Sequence, residues 1–583
     1  MRRSPLILLL LLTAFAWVPL LASGYFMRAH DAGHSLFWLV EFDAAIRDGF
    51  LYPRWAPDHA LGYGYPLWIF YAPLAFYVAE FFHLIGFGIA AAMKMTWAVA
   101  FILSGVTMYR FARKLWGPGP GLIAGLLYVY APYHLVNIYV RAALAEFFAF
   151  ALFPWVLQSF WELLEEGGRR KLAIAGLSFG LVLLTHSVTV IFFPPVLVLL
   201  VLYWLLLRWR RTGELPWRST LEALGAGVAG IALAAIFLLP ALTEGRYIAQ
   251  EQWVASAYNF TSQFLHPFQL FNLDWGFGHA IAGPDDGMPL QIGLWLIILG
   301  LAALPLLWRH RPPRNAMLVG FLMAAAVSIF FALAASLPIW EAFPPLALIQ
   351  FPFRLLSLVA LFLSLAAAGV VAALLPPSER VSSGPSTQRT LSPVLLVLGL
   401  AIVFASYPYT RPEHTPVTER DQSSQAVYDF EVKYNMVGHT SFAEAPPSQT
   451  PKLAAHLADR PLPLARIIQG EGSVQTLRHG AGSEQVLVNV QSPATLQFFT
   501  YYYPGWSATV DGQDTEIRAE GTYALITLDL PAGEHEVGIR LTNTPLRTVA
   551  AIISILAAIL LVGLLVVRSS RRQTESQPSI TNT

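Results

Sequence analysis

The chain predicts a polytopic α-helical membrane protein of about twelve spans that carries an extracytoplasmic antiparallel β-sandwich near its C-terminus. Three observations lead to this class. Mean hydropathy is +0.54, with 56% hydrophobic and only 13% charged residues, a balance typical of membrane proteins. Apolar blocks recur along most of the chain, each long enough to supply the roughly 20 helical residues that cross a hydrocarbon core. Beyond about residue 464 that pattern gives way to short runs of period-two alternation.

The expected spans are 5–23, 91–109, 119–137, 145–164, 172–186, 188–207, 220–242, 289–308, 315–336, 353–375, 391–407 and 548–567. Basic residues orient them, because cytoplasmic loops are enriched in Lys and Arg. The opening MRR, RFARK (110–114), GGRRK (167–171), RWRR (208–211), RHRPPR (309–314), SERVSSGPSTQR and the tail RSSRRQ are seven such sites. Alternating spans satisfy all seven only if the apolar stretch 65–88 does not cross. That stretch is broken by Pro66 and Pro73 and carries Glu80 and His83, which suits an interfacial or re-entrant helix. Both termini are then cytoplasmic, and the first span is a retained signal anchor in preference to a cleaved signal peptide. The chain divides into a transmembrane unit 1–407 with its first external loop at 24–88, a β-rich unit 408–547, and a final span with a cytoplasmic tail, 548–583. In the β-rich unit, runs such as EQVLVNVQS and EHEVGIRLTNT are bounded by DG, PG and AG turns, the signature of antiparallel hairpins.

Composition also excludes chemistry. There is no cysteine, so no disulfide, Cys-ligated metal or thiol nucleophile. A net charge of +1 offers nothing to nucleic acid. Walker A and HExxH motifs are missing, and no GxGxxG stands in a βαβ context, so energy comes from an activated substrate or a gradient.

The first loop holds most of the polar side chains that invite chemistry. Asp31 lies between His30 and His34 just beyond the first span, where a carboxylate can accept a proton from a hydroxyl or help hold a divalent cation. With His34 in a helix starting near Ser35, Trp38 and Glu41 share its face. An Asp31/His34/Glu41 cluster would suit Mg or Mn. The plainer alternative makes Asp31 a helix cap and pairs Glu41 with Arg47 or Lys94. Arg141 and Arg354 are candidates for gripping a phosphate bidentately, against snorkelling at the membrane boundary. Glu146 either pairs with Arg141 or faces the pocket. His186 would bind phosphate, orient Asp31, or satisfy local carbonyls. Arg54, Trp55 and Asp58 are candidate sugar or acceptor contacts, though aromatic residues also gather in interfacial belts. With the expected topology all these groups fall on the outer side, together with the loop 243–288 and its Glu244, Glu251, His279, Asp285 and Asp286.

The segment HDAGHSLFWLVEFDAAIRDGFLYPRWAPDHALGYGYPLWIFYAPLAFY, with YVRAALAEFFAFALFPW, LLTHSVTVIFFP and LIQFPFRLLSL, resembles bacterial membrane proteins described as 6-pyruvoyl-tetrahydropterin synthase-related. The C-terminal YYYPGWSATVDG and LPAGEHEVGIRLTNTPLR resemble the outer domain of YfhO-like membrane proteins. Both groups are similar to the GT-C glycosyltransferase superfamily, which uses polyprenyl-phosphate-linked sugars outside the membrane. The resemblance implies a bacterial cytoplasmic-membrane enzyme of the cell envelope, active on its outer face toward a lipid, glycan or protein acceptor. Its catalytic acid in the first external loop corresponds to Asp31. The superfamily's tandem acidic motif is replaced here by Asp-Ala-Gly-His, which bears against metal use. No three-histidine set matches the soluble pterin enzyme of the family's label. A flippase for a lipid-linked glycan and a non-catalytic scaffold are the alternatives; the first calls for midplane charges and repeat symmetry.

Overall fold

The computed structural model of the protein describes residues 5–250, 258–281, 287–309, 314–375 and 392–566. The loop residues Glu251, Asp285 and Asp286, and the basic sites MRR, SERVSSGPSTQR and RSSRRQ, lie outside them, as do residues 310–313 of RHRPPR. Helix occupies each of the twelve expected stretches. By length and composition six described helices can cross a bilayer, or up to eight if each of two bent pairs is one span. The other expected spans are shorter helices, such as Pro5–Trp17 and Arg169–Leu183.

The two bent pairs show how the chain tolerates broken helix among apolar surroundings. Pro118–Val129 and Pro132–Tyr139 meet at 41°, because the residue before a proline is pushed out of helical geometry. The freed carbonyl of Tyr130 accepts a hydrogen bond from the Ser406 hydroxyl at 3.0 Å. Trp217–Leu233 and Ala235–Thr243 belong to a pair bent by 71°. There the Ile236 N–H donates to Ser554 Oγ at 2.8 Å, and Ser554 donates on to the Ala232 carbonyl at 3.2 Å. Each break is repaired by a hydroxyl from another helix, as a low-dielectric setting demands.

The stretch 65–88 is itself broken, into Leu67–Phe70 and Leu74–Leu84, and its longer helix of 11 residues is about half of what a crossing needs. The turn 184–187 anchors it. Ser187 donates to the Phe70 carbonyl at 2.7 Å and accepts from the Ala72 N–H at 3.2 Å, while Leu74 N–H donates to the Leu184 carbonyl at 3.0 Å.

The long helix Leu144–Glu166 sets the vertical scale. From Glu146 to Glu166 it rises about 30 Å at 1.5 Å per residue. At its C-terminal end Glu162, Glu165 and Glu166 pair with Lys114, Lys171 and Arg211. Three of the basic loops are therefore gathered at one end of the helical body, and Glu146 with the first loop lies at the other.

Nine strands follow: β1 Ala465–Gln469, β2 Gly472–His479, β3 Ser483–Val490, β4 Ala494–Tyr501, β5 Trp506–Val510, β6 Gln513–Thr515, β7 Arg518–Glu520, β8 Leu525–Leu530 and β9 Gly533–Leu541. They form two antiparallel sheets, ordered β1-β4-β8-β7 and β2-β3-β9-β5-β6. Val486, Val488, Val537 and Ile539 bury one face of the second sheet. The β5–β6 turn, Asp511-Gly512, has positive φ at both residues, the two-residue hairpin turn that matches strand twist.

This β region is tied to the first loop at several points. Tyr501 N–H donates to the Tyr63 carbonyl at 2.8 Å, and the Trp55 ring meets Trp506 edge-on at 5.4 Å. The Asp48 carboxylate takes the Ser483 hydroxyl and pairs with Arg478. The helix Gln425–Tyr434 lends Glu431, whose carboxylate accepts the N–H groups of Ala60 and Leu61 at 2.9 and 2.6 Å. Ala60 and Leu61 both stand at positive φ, a costly turn that these two bonds hold in place.

Candidate active site

Backbone contact brings Asp31 and Arg141 together. The His30 N–H donates to the Val140 carbonyl and the Asp31 N–H to the Arg141 carbonyl, each at 2.9 Å. Asp31 is the N-cap residue of the helix Ala32–Arg47, yet its carboxylate makes no capping bond. It faces His34, with Nδ1 to Oδ1 at 3.6 Å, and half of its side-chain surface (50%) is open. Its enclosure resists ionisation, but the contact with His34 and the charges of His34, Arg141 and His30 outweigh that resistance and hold its pKa below the ordinary carboxylate range. Burial and the neighbouring His279 push His30 toward its neutral form, and the two imidazole rings lie 4.6 Å apart.

Beside Asp31, both candidate arginines converge on Glu146. Arg141 Nη1 donates to Glu146 Oε2 at 2.9 Å, and Arg354 Nε lies 3.1 Å from the same oxygen. Tyr133 donates to Glu146 Oε1 at 2.8 Å, and Arg141 also reaches Asn137 Oδ1 at 2.6 Å. Arg354 is pinned by the Ile349 carbonyl at 2.8 Å and lies over the Phe351 ring at 4.7 Å. All three ionisable residues are buried, so snorkelling does not describe either arginine. Glu146 is the partner of Arg141, and it serves two guanidinium groups where the sequence suggested one. Two non-glycine residues at positive φ flank the pair, Ala142 at 52° and Gln350 at 64°. Such strain commonly marks functional sites.

With Asp31 and Glu146 ionised, two negative charges balance the two guanidinium groups. His186 is buried nearby and shares a hydrogen bond between Nδ1 and Thr189 Oγ1 at 2.8 Å. Its ring is thus oriented by a hydroxyl of the next helix. Tyr133, Asn137, Thr189 and the ring of Phe351 are parts of the site that sequence reasoning missed. Tyr133 and Asn137 precede Arg141 by eight and four residues, so helical spacing from Arg141 was the available signal.

The structure does not bring the remaining candidates to this place. Glu41 is seven residues beyond His34, about 10 Å along the helix, and its buried carboxyl oxygens have no hydrogen-bond partner within reach among the described residues. Burial first, then the charges of Asp58 and Glu431, push its carboxyl well above the usual range. It pairs with neither Arg47, which binds Asp43 at 2.7 Å, nor Lys94, which donates to the Ala22 carbonyl at 2.5 Å. Arg54 and Trp55 are buried, Arg54 over the Tyr52 ring at 4.7 Å and Trp55 against Trp506. Asp58 accepts from the Tyr428 hydroxyl at 3.1 Å. Trp55 and Asp58 join the first loop to the C-terminal region, and all three residues, being buried, offer little surface to a sugar.

The same geometry bears on Mg or Mn. No group of three or more His, Asp or Glu suited to a metal ion occurs among the described residues. Asp31 and His34 supply one carboxylate and one imidazole, short of the oxygen-rich set such ions require. These residues do not fit a resident metal, and no step below is routed through one.

A model of the 6-pyruvoyl-tetrahydropterin synthase related domain, described as a membrane protein, matches residues 68–411. An uncharacterized protein of Lactococcus lactis subsp. cremoris (strain MG1363) is 24% identical over 248 residues, which is 40% of this chain and 39% of that protein. Among solved structures, the arabinofuranosyltransferase AftD from Mycobacteria aligns with TM-score 0.45 and 13% identity, over 93% of this chain and 40% of that one. ArnT from Cupriavidus metallidurans aligns with TM-score 0.30 and 14% identity, over 63% of this chain and 77% of that one.

Proposed function

From the premise that this chain belongs to the 6-pyruvoyl-tetrahydropterin synthase related family of membrane proteins, we propose that it is a GT-C-type glycosyltransferase of the bacterial cytoplasmic membrane. It moves a sugar from a polyprenyl-phosphate donor to a lipid, glycan or protein acceptor, with its site on the outer face. One observation carries the reading: an uncapped, half-open carboxylate, Asp31, held beside two buried guanidinium groups. The gathering of basic loops at the opposite end of the helical body supports the outward orientation.

In this reaction the acceptor hydroxyl attacks the anomeric carbon of the donor. The new C–O bond forms as the bond to the phosphate oxygen breaks, and the electron pair leaves with the polyprenyl phosphate. Asp31 takes the hydroxyl proton. Its depressed pKa keeps it ionised at neutral pH, so it orients the hydroxyl before the proton moves. Arg141 and Arg354 meet the charge that grows on the leaving phosphate, and Glu146 holds both in place between turnovers. The apolar helix Leu74–Leu84 lines the approach of the lipid donor, and the two sheets stack as an outer sandwich that orients the acceptor.

The test is transfer of radiolabelled sugar from polyprenyl-phosphate donors in proteoliposomes, comparing wild type with Asp31→Asn. Transfer by wild type that falls at least 100-fold in the variant supports the reading. Transfer unchanged in the variant overturns Asp31's role. Movement of lipid-linked sugar across the bilayer, with no transfer by either protein, replaces the enzyme with a flippase.

A further inference from the structure

The outer face of the five-stranded sheet holds a depression of about 210 Å³, rimmed by Arg478, Gln485, Ser507, Thr509 and Arg540. Strand register builds it. Arg478 of β2 stands opposite Gln485 of β3, Gln485 opposite Gly538 of β9, and Gly538 opposite Thr509 of β5. In the adjoining row Ser483, Arg540 and Ser507 align across β3, β9 and β5. Residues at i and i+2 of one strand share a face, so both rows look outward while Val486, Val537 and Ile539 look inward.

Gly538 makes the floor. A Cβ there would meet Thr509 Oγ1 at 3.3 Å and Gln485 Cγ at 3.6 Å, so the glycine keeps open a space that any other residue would fill. Glycine inside a strand weakens it and often marks close approach by a ligand. The polar groups around the floor are free to serve one. Neither the Gln485 amide nor the Thr509 hydroxyl is spent on a hydrogen bond to another described residue, and Ser507, which donates to the Arg540 carbonyl at 3.1 Å, keeps its lone pairs.

Charge narrows the ligand. Arg478 is paired with Asp48. Arg540 lies over the Phe50 ring at 4.8 Å and has no carboxylate partner among the described residues. One guanidinium therefore stands uncompensated beside a row of hydroxyl and amide groups. We propose that this depression binds an anionic saccharide, with its carboxylate or phosphate on Arg540 and its ring hydroxyls on Gln485, Ser507 and Thr509 above Gly538. The anion meets a planar fork of donors, and a polyhydroxylated ring matches the alternating donors and acceptors beside it. The wall formed by Asp48 and Phe50 directly follows the helix Ala32–Arg47, which is about 24 Å long. A glycan chain held here lies one helix length from Asp31. Binding at this site is independent of whether transfer occurs there.

Binding of saccharides to the full chain in lipid nanodiscs tests this by isothermal titration. The probes are trigalacturonate, a maltotriose bearing a terminal 6-phosphate, neutral maltotriose and inorganic phosphate. At least one anionic sugar is expected to bind tenfold or more tighter than maltotriose and than inorganic phosphate; which one binds identifies the anion. Arg540→Gln and Gly538→Val each weaken that binding at least tenfold, while Asn489→Ala, on the same strand as Gln485, leaves it unchanged. If Gly538→Val does not fold, Arg540→Gln alone decides. No binding of either anionic sugar, equal binding of maltotriose or phosphate, or wild-type affinity in Arg540→Gln overturns the proposal.

Discussion

Replacing Glu146 by Gln removes the one carboxylate that two buried guanidinium groups share, while the side-chain amide retains an acceptor for Tyr133. The contacts are 2.9 Å to Arg141 and 3.1 Å to Arg354. At an effective dielectric of 20 these correspond to gross attractions of about 5.7 and 5.4 kcal/mol. Most of that sum offsets the cost of taking three charges out of water, so the gross figure is not the expected loss. Losing one member of a buried pair typically costs about 3–5 kcal/mol, because the charge left behind has nothing to balance it. We expect a loss in that range for Glu146→Gln, roughly a 140- to 3,700-fold shift in the folding equilibrium at about 1.4 kcal/mol per decade. Reversible unfolding of the full chain in mixed micelles, titrated with SDS and followed by tryptophan fluorescence, measures it. Glu146→Asp, which keeps the charge, recovers part of the loss. A Glu146→Gln variant within about 1 kcal/mol of wild type would show that the arginines are balanced elsewhere, and would refute the shared-counterion account.

Three further outcomes follow from other parts of the structure. Arg547 is buried with its guanidinium forked on Glu244 at 2.8 and 2.9 Å, so Arg547→Met alone should cost about 3–5 kcal/mol while Arg547→Met with Glu244→Met costs far less; the same SDS titration decides, and a double variant worse than the single one counts against the pairing. Glu41 has a raised carboxyl pKa in the fold, so the native state holds a proton that the unfolded chain releases. Stability then declines as pH climbs from the unfolded carboxyl value toward the folded one, and Glu41→Gln flattens that decline; an unchanged pH–stability slope in the variant contradicts the placement. For Asp31 the shift is downward, so the acid limb of kcat/KM for sugar transfer should fall below the ordinary carboxylate range, about 3.9 for Asp; a limb between pH 5 and 7 would point to a histidine as the titrating group.

How much of this was legible beforehand depends on the range of the interaction. Hydropathy and the spacing of prolines and basic runs located the helices, because crossing a bilayer is a local demand on some 20 consecutive residues. Alternation and the Asp511-Gly512 turn located the strands for a similar reason. Proline also pointed to the break within 65–88. What pattern reading could not supply was the repair of the breaks by Ser187, Ser406 and Ser554, since a lone hydroxyl in an apolar run has no periodic signature.

Local sequence singled out Asp31, Arg141, Glu146, His186 and Arg354 as polar residues at helix ends, where ionisable groups are costly and tend to serve a purpose. Their company was decided in three dimensions: Arg354 reaches Glu146 from more than 200 residues away, and a backbone bond ties Asp31 to Arg141. Glu41 shows the limit from the other side. Helical spacing put it on the face of His34, but its environment is set by Asp58 and Glu431, which the chain brings from 17 and 390 residues downstream. The sequence alone settles which segments are apolar and which residues are ionisable, because both are properties of the residues themselves. Which charges balance one another, and which carboxylate stays open to solvent, only the packed structure decides, since the energy of a charge depends on every neighbour that folding places around it.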